Sequence, residues 1–214
     1  MNSRLRNLAL DVEITLKKIA AETTSFSETS NISCLKGCSA CCHNSDNVWA
    51  TPLEMLPMAF DIFDRGLAGK YLDRITSEPN RCTAHEDHGG RYGRCMEYKH
   101  RPSICRLFGS SVRLKHNPRG ETVPEGLFCN WQRDHFKKEI EQIENLPVDH
   151  KDLCVAGHLS NQFNISFSKN LEVEMPINKS LQKALEMIMQ NEHYIEMQMQ
   201  VQHKDSEVHQ STKI

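Results

Sequence analysis

The sequence predicts a mainly α fold with small irregular and β segments, cysteine-rich in its middle and flanked by N- and C-terminal helices. Three observations predict it. Apolar residues recur at spacings of three and four near both ends: Leu5, Leu8, Val12, Leu16 and Ile19, then Leu181, Leu185, Ile188, Ile195 and Met199. Thr51-Pro52-Leu53-Glu54 is a helix start, with Thr51 able to cap, Pro52 suited to the first turn and Glu54 completing a capping box. Between the terminal stripes lie all nine cysteines, in segments of little periodicity. The chain therefore divides into an N-terminal helix and polar loop (residues 1–30), a cysteine-cluster domain (31–132), a C-terminal helical extension (133–202) and a disordered tail (203–214).

In chain order, residues 4–22 read as a helix, and the polar run 23–31 as a loop delivering the chain to the cysteines. The capped helix runs from Thr51 to about Arg65, stops at Gly66, and buries Leu56, Ala59, Phe60 and Phe63. A short helix over 70–76 follows. Residues 81–98, rich in Gly, His and charge, predict loops or short strands around Cys82 and Cys95. Pro102 begins a short helix carrying Cys105 and Arg106. Ser111–His116 and Gly120–Val123 flank Asn117-Pro118-Arg119 as a hairpin. Trp131–Leu146 reads as one helix with Phe136, Ile140 and Ile143 on one side. Residues 151–159 read as helical, 164–167 as ambiguous, and 178–202 as the last helix. The methionines of that helix (Met187, Met189, Met197, Met199) read as packing residues rather than as soft-metal ligands.

Chemistry concentrates in Cys34-x3-Cys38-x2-Cys41-Cys42, four thiols within nine residues, with Cys82, Cys95, Cys105 and Cys129 downstream. That density in a reduced compartment points to thiolates on a metal, which contribute folding free energy where neutral thiols would not. The odd total of nine cysteines speaks against a disulfide framework. Leu8-Ala9-Leu10 is interrupted by Asp11 and Glu13, so no secretory leader is read, and no run suits a membrane span; a cytoplasmic, membrane-free protein is expected. A polar composition, 38% hydrophobic, suits a small core stapled by metal. Adjacent Cys41 and Cys42 would diverge in an extended backbone, which favours a multi-iron cluster or two neighbouring sites over one small ion. Eight cysteines suffice for two four-thiolate sites.

Charge is uneven. Between Arg81 and Arg119 nine Lys and Arg face only Glu86, Asp87 and Glu97, so this segment carries +6 against −8 elsewhere. Its cations either offset thiolate charge or form an anion site for phosphate, carboxylate or nucleic acid. Few aromatics and an acidic overall balance argue against nucleic acid. The spacing Cys34-x3-Cys38-x2-Cys41 also matches radical S-adenosylmethionine enzymes. The chain lacks their repeating strand–helix pattern, however, and places Ala40 where they carry an aromatic residue. Nor does a strand lead into a Gly-rich nucleotide loop of the conventional methyltransferase kind.

Cys34, Cys38, Cys41-Cys42, Glu54 and Gly93-Arg94-Cys95-x2-Tyr98-x2-Arg101-Pro102-x2-Cys105-Arg106-x-Phe108 together resemble the CxxCxxCC (YkgJ-type) cysteine-cluster family. That family of zinc- or iron-chelating domains includes flagellin lysine N-methylases. The resemblance covers about residues 34–130. It implies metal binding by Cys34, Cys38, Cys41, Cys42, Cys82, Cys95 and Cys105, joined by Cys129, with an iron–sulfur cluster of the [4Fe–4S] kind or zinc as cofactor. A protein substrate and S-adenosylmethionine are implied as further ligands. Arg101 and Arg106 either donate to thiolates and carbonyls or bind an anionic cofactor or substrate. Glu54 reads as a capping residue rather than a base, Tyr98 as a core aromatic and Cys154 as a buried apolar thiol; His85, His88, His100 and His116 read as solvated loop residues, with replacement of one thiol as ligand the alternative.

Overall fold

The computed structural model describes residues 4–157, 171 and 173–193. Helix α1 (Arg4–Ser30) is the longest element, and at about 1.5 Å per residue it runs about 40 Å. Its first half buries Leu8, Val12 and Leu16; its second half buries Ile19, Thr23 and Phe26. The helix thus continues through the segment expected to be a loop. The hydroxyls of Thr23, Thr24 and Thr29 bond back to carbonyls four residues earlier, so these polar residues are satisfied inside the helix. Phe26 meanwhile stacks on Phe128 at 6.4 Å. Tertiary burial overrides the weak helical pattern here.

Two 3-10 turns (Ala40–His43 and Ser45–Asn47) lead into β1 (Trp49–Ala50) and α2 (Pro52–Asp64). Thr51 caps α2 as expected, accepting from the Glu54 N–H at 3.2 Å. Leu56, Ala59 and Phe60 are buried, Phe63 partly so, and Gly66 turns the chain at φ 69°. Helix α3 (Ala68–Ser77) follows, then a small antiparallel pair, β2 (His85–Asp87) with β3 (Gly93–Cys95). A 3-10 turn (Tyr98–His100) precedes α4 (Ser103–Leu107), which carries Cys105 and Arg106. The expected hairpin is present as β4 (Val112–His116) against β5 (Thr122–Gly126).

The predicted helix 131–146 is two helices, α5 (Asn130–His135) and α6 (Lys137–Glu144), broken at Phe136. The break lets Gln132 and the Ile140/Ile143 pair bury in different places. Residues 151–155 are not helical; Val155 instead bridges Val112 in parallel, and helix begins only at 156–157. β6 (Met175–Pro176) pairs with β1, and α7 covers residues 177–193. The expectations for 164–167, for 194–202 with Ile195, Met197 and Met199, and for the tail 203–214 lie outside the described residues.

Two apolar clusters hold these elements. The first joins the N-terminal half of α1 to α2, α3 and α7 through Leu16, Leu53, Leu56, Ile62, Leu185 and Ile188. The second joins the other half of α1 to α4, β4 and α6 through Ile19, Phe26, Leu107, Val112 and Ile140, and it also buries Cys154. Met187 packs at the edge of the first cluster, whereas Met189 is 42% exposed. The sheets are three separate two-stranded pairs, so among the described residues there is no (β/α) barrel. No described helix is long and apolar enough to cross a membrane.

Candidate metal centre

The first knuckle is built on backbone contacts to the β2–β3 hairpin. Gly37, at φ 75°, lets its carbonyl accept from the Gly93 N–H at 3.0 Å, and the Ser39 N–H donates to the Arg91 carbonyl at 2.9 Å. Gly93 has no room for a side chain, since a Cβ there would stand 2.4 Å from His85 Nε2 and 2.7 Å from Ser39 Oγ. The Cys82 N–H donates to the Cys42 carbonyl at 3.0 Å, bringing the second segment alongside the first. Asn178 of α7 clamps that junction. Its Nδ2 donates to the carbonyls of Pro79 and Arg81 and to Ser45 Oγ, and its Oδ1 accepts from the Thr83 N–H.

Cys105 is placed by α4, whose N-terminus is held from α2. The buried Glu54 carboxylate accepts from the Ser103 N–H at 2.9 Å and from the Ser103 hydroxyl. Glu54 is therefore both the expected capping-box residue and an acceptor for the helix carrying Cys105. Burial raises its pKa against those donors. Cys129 caps α5: its sulfur accepts from the Gln132 N–H, and Gln132 Oε1 accepts from the Cys129 N–H at 3.2 Å. The fully buried Gln132 also donates to the Gly109 carbonyl at 2.9 Å. Gly109, at φ 85°, lies so close to Cys34 that a Cβ would come within 2.9 Å of its sulfur.

These segments close around one cavity of about 1360 Å³. Cys34, Cys38, Cys41, Cys42, Cys82, Cys95, Cys105 and Cys129 all line it; Cys154 does not. Its remaining walls come from the later turns of α1 and from α2 and α7, so the extension of α1 past residue 22 encloses the thiols. Cys41 and Cys42 share a 3-10 turn rather than an extended strand, and both line the cavity. Among the described residues, no group of three or more His, Cys, Asp and Glu side chains is gathered tightly enough for a single ion. Four thiolates on one zinc would stand about 3.8 Å apart, given Zn–S near 2.3 Å.

Five of the eight thiols are held above the ordinary thiol range. Burial, then the neighbouring Cys129, Cys41 and Cys38, push Cys34 up to about 11. Cys41 is raised by its bond to Cys42 and by burial, and burial raises Cys95 and Cys105. For Cys42, the bond from Cys41 lowers the pKa, but the bond to Cys82 and burial outweigh it and push it up to about 12. Arg101 opposes the rise at Cys34, Cys41, Cys95 and Cys105. Its guanidinium lies 3.7 Å from the Tyr98 ring and donates to the Cys105 carbonyl at 3.1 Å. The Arg106 guanidinium instead donates to the carbonyls of Arg101 and Lys99.

Several expectations need correction. Tyr98 is 64% exposed, serving as the platform under Arg101 rather than as a core aromatic. His85 and His100 are buried. His85 packs against His43 at 4.8 Å and meets Ser39 Oγ at 2.8 Å, because the knuckle folds down onto β2. His88 and His116 are exposed, as expected. Sequence reasoning missed Asn178, Gln132 and Gly109. Gly109, beside the cysteine helix, carried a signal, whereas Asn178 lies 83 residues beyond Cys95 in a helix with no cysteines.

Neither the curated proteins nor the solved structures contain a match to this chain. A family model does match residues 33–148, more than half of the chain, and its description reads "Putative zinc- or iron-chelating domain". With eight thiols lining one cavity and this match across the segment that contains them, the chain belongs to the CxxCxxCC family.

Proposed function

We propose that this protein binds a polynuclear metal centre, a [4Fe–4S]-type cluster in first place and zinc in second, through the thiolates of Cys34, Cys38, Cys41, Cys42, Cys82, Cys95, Cys105 and Cys129. The observation that carries the reading is that all eight line a single cavity although they come from five separate segments. The donor set fits the group. Sulfur ligands suit iron–sulfur and zinc centres alike, and the Glu97 N–H aimed at Cys95 and the Gln132 N–H aimed at Cys129 are donors that stabilise thiolate. Eight sulfurs on one cavity, twice what a tetrahedral ion takes, favour a cluster or two sites over a single mononuclear site. Anaerobic purification followed by iron, zinc and acid-labile sulfide analysis tests this. Iron with sulfide and a broad absorption band near about 400 nm supports the cluster. A colourless protein with zinc alone would sink it, and unchanged metal content in Cys42→Ser would remove Cys42 from the ligand set.

A second reading, a cluster-dependent enzyme of the protein-lysine N-methylase or oxidoreductase kind, draws support from the cavity's size. Its volume of about 1360 Å³ exceeds the roughly 300–1,000 Å³ of ordinary small-molecule sites. S-adenosylmethionine is the cofactor to test: a spectral change on adding it to the loaded protein supports the reading, and an unchanged spectrum counts against it. A zinc-knuckle nucleic-acid module is disfavoured, because Arg81, Arg94 and Arg113 of the basic segment are paired with Asp87, Glu86 and Glu125.

A further inference from the structure

Five cations and one acid line the cavity: Lys36, Arg91, Arg94, Arg101 and Arg106 against Glu28. Two of the five are already engaged, Arg94 by Glu86 and Arg106 by the carbonyls of Arg101 and Lys99. Lys36 and Arg91 are exposed and have no carboxylate partner among the described residues. Arg101 is partly buried and satisfies only part of its fork. One terminal nitrogen donates to the Cys105 carbonyl, one face lies on Tyr98, and Nε is buried with no partner. A desolvated guanidinium with an unused N–H is costly unless an acceptor reaches it.

We propose that this cavity binds a small anionic ligand, a carboxylate or phosphate with an apolar body, beside the metal centre. Arg101 contacts the anion, and Lys36 and Arg91 attract it from the rim. Ile104, Phe108 and Trp131 line the same cavity and offer the apolar body its surface. The proposal rests on the metal-binding reading: the metal takes the thiolates, and Arg101 beside them keeps an unused N–H for a second ligand. Planar guanidinium recognition suits both headgroups, and a stacked arginine is already oriented to provide it.

Isothermal titration of the metal-loaded protein with inorganic phosphate and, separately, with benzoate tests the proposal, with metal and sulfide measured on every sample. Saturable binding of either probe is expected, and the tighter one identifies the headgroup. Arg101→Met should weaken it about ten- to hundredfold, as loss of a charge-assisted contact does. The exposed pair Lys36→Gln/Arg91→Gln should weaken it several-fold, more at low than at high salt, with metal content unchanged. Absence of binding up to on the order of 10 mM would overturn the proposal. So would wild-type affinity in both variants, or loss of metal in Arg101→Met with undiminished binding in the rim variant, since Arg101 would then serve the thiolates alone. A purified protein without metal would instead count against the metal reading, and the metal analysis registers that separately.

Discussion

Gly109 shows how much a single position constrains the centre. At φ 85° it occupies backbone space that side chains avoid, and a methyl there would meet Cys34 Sγ at 2.9 Å and Gln132 at 3.1 Å. Gly109→Ala is expected to destabilise the protein by about 1–3 kcal/mol and to lower metal content. Urea midpoints and metal analysis check the two effects separately. Glu54 offers a pH test. Burial holds its folded-state pKa above the ordinary carboxylate range, so its contribution to stability is fullest in acid and fades as pH rises through the raised value. In metal-free protein, the stability deficit of Glu54→Gln relative to wild type should therefore shrink between acid and neutral pH. Glu54→Ala, which leaves the Ser103 donors unpaired, should cost about 2–3 kcal/mol in acid, and its deficit should shrink with rising pH in parallel with that of Glu54→Gln; denaturant titrations over that range measure both.

Elements position the thiols more than local sequence does. The helix 177–193 contains no cysteine, yet Asn178 at its start ties the Ser45 turn to the segment 79–83 that presents Cys82. Replacing Asn178 with Ala removes four hydrogen bonds at a buried junction and should destabilise by about 2–4 kcal/mol. It should also raise amide exchange at Thr83, read by hydrogen–deuterium exchange. The second half of α1 acts similarly. Its threonines give no helical stripe, so 23–31 reads as a loop, but stacking of Phe26 on Phe128 and burial of Thr23 keep the helix going. The extended helix then closes one side of the cavity. The break at Phe136 has the same kind of origin. Continuous periodicity predicts one helix, whereas Gln132 is fixed to Gly109 and Ile140 and Ile143 belong to the second cluster.

For the molecule as a whole, metal capture and folding should be coupled but separable. The first apolar cluster joins α1, α2, α3 and α7, and most of its contacts do not involve the thiols. Metal removal should therefore lower the melting temperature and loosen the cavity segments while most helical circular dichroism persists, unlike a zinc finger that unfolds outright. Uptake should also depend steeply on pH. Thiols held neutral, with Cys34 up to about 11 and Cys42 up to about 12, must each release a proton on ligation. The apparent affinity should thus rise with pH across the neutral range, by up to about tenfold per unit for each thiol deprotonated. Competition titrations with a chromophoric chelator at several pH values measure that slope.

The sequence by itself determined the cysteine-rich centre, the capped helix α2, the short cysteine helix α4 and the β4–β5 hairpin. Each rests on local signals: thiol spacing, a capping box, a proline and turn residues. Only the tertiary structure decided that all eight thiols line one cavity, that Cys41 and Cys42 share a 3-10 turn, and that Arg106 is taken up by backbone carbonyls while Arg101 keeps a buried Nε–H without a partner. Those outcomes depend on contacts between residues distant in the chain, Glu54 with Ser103, Asn178 with Thr83 and Gln132 with Gly109, and no periodicity or motif spacing encodes them. The physical reason is that burial and long-range hydrogen bonding set side-chain direction, while local propensity sets only the elements from which those side chains project.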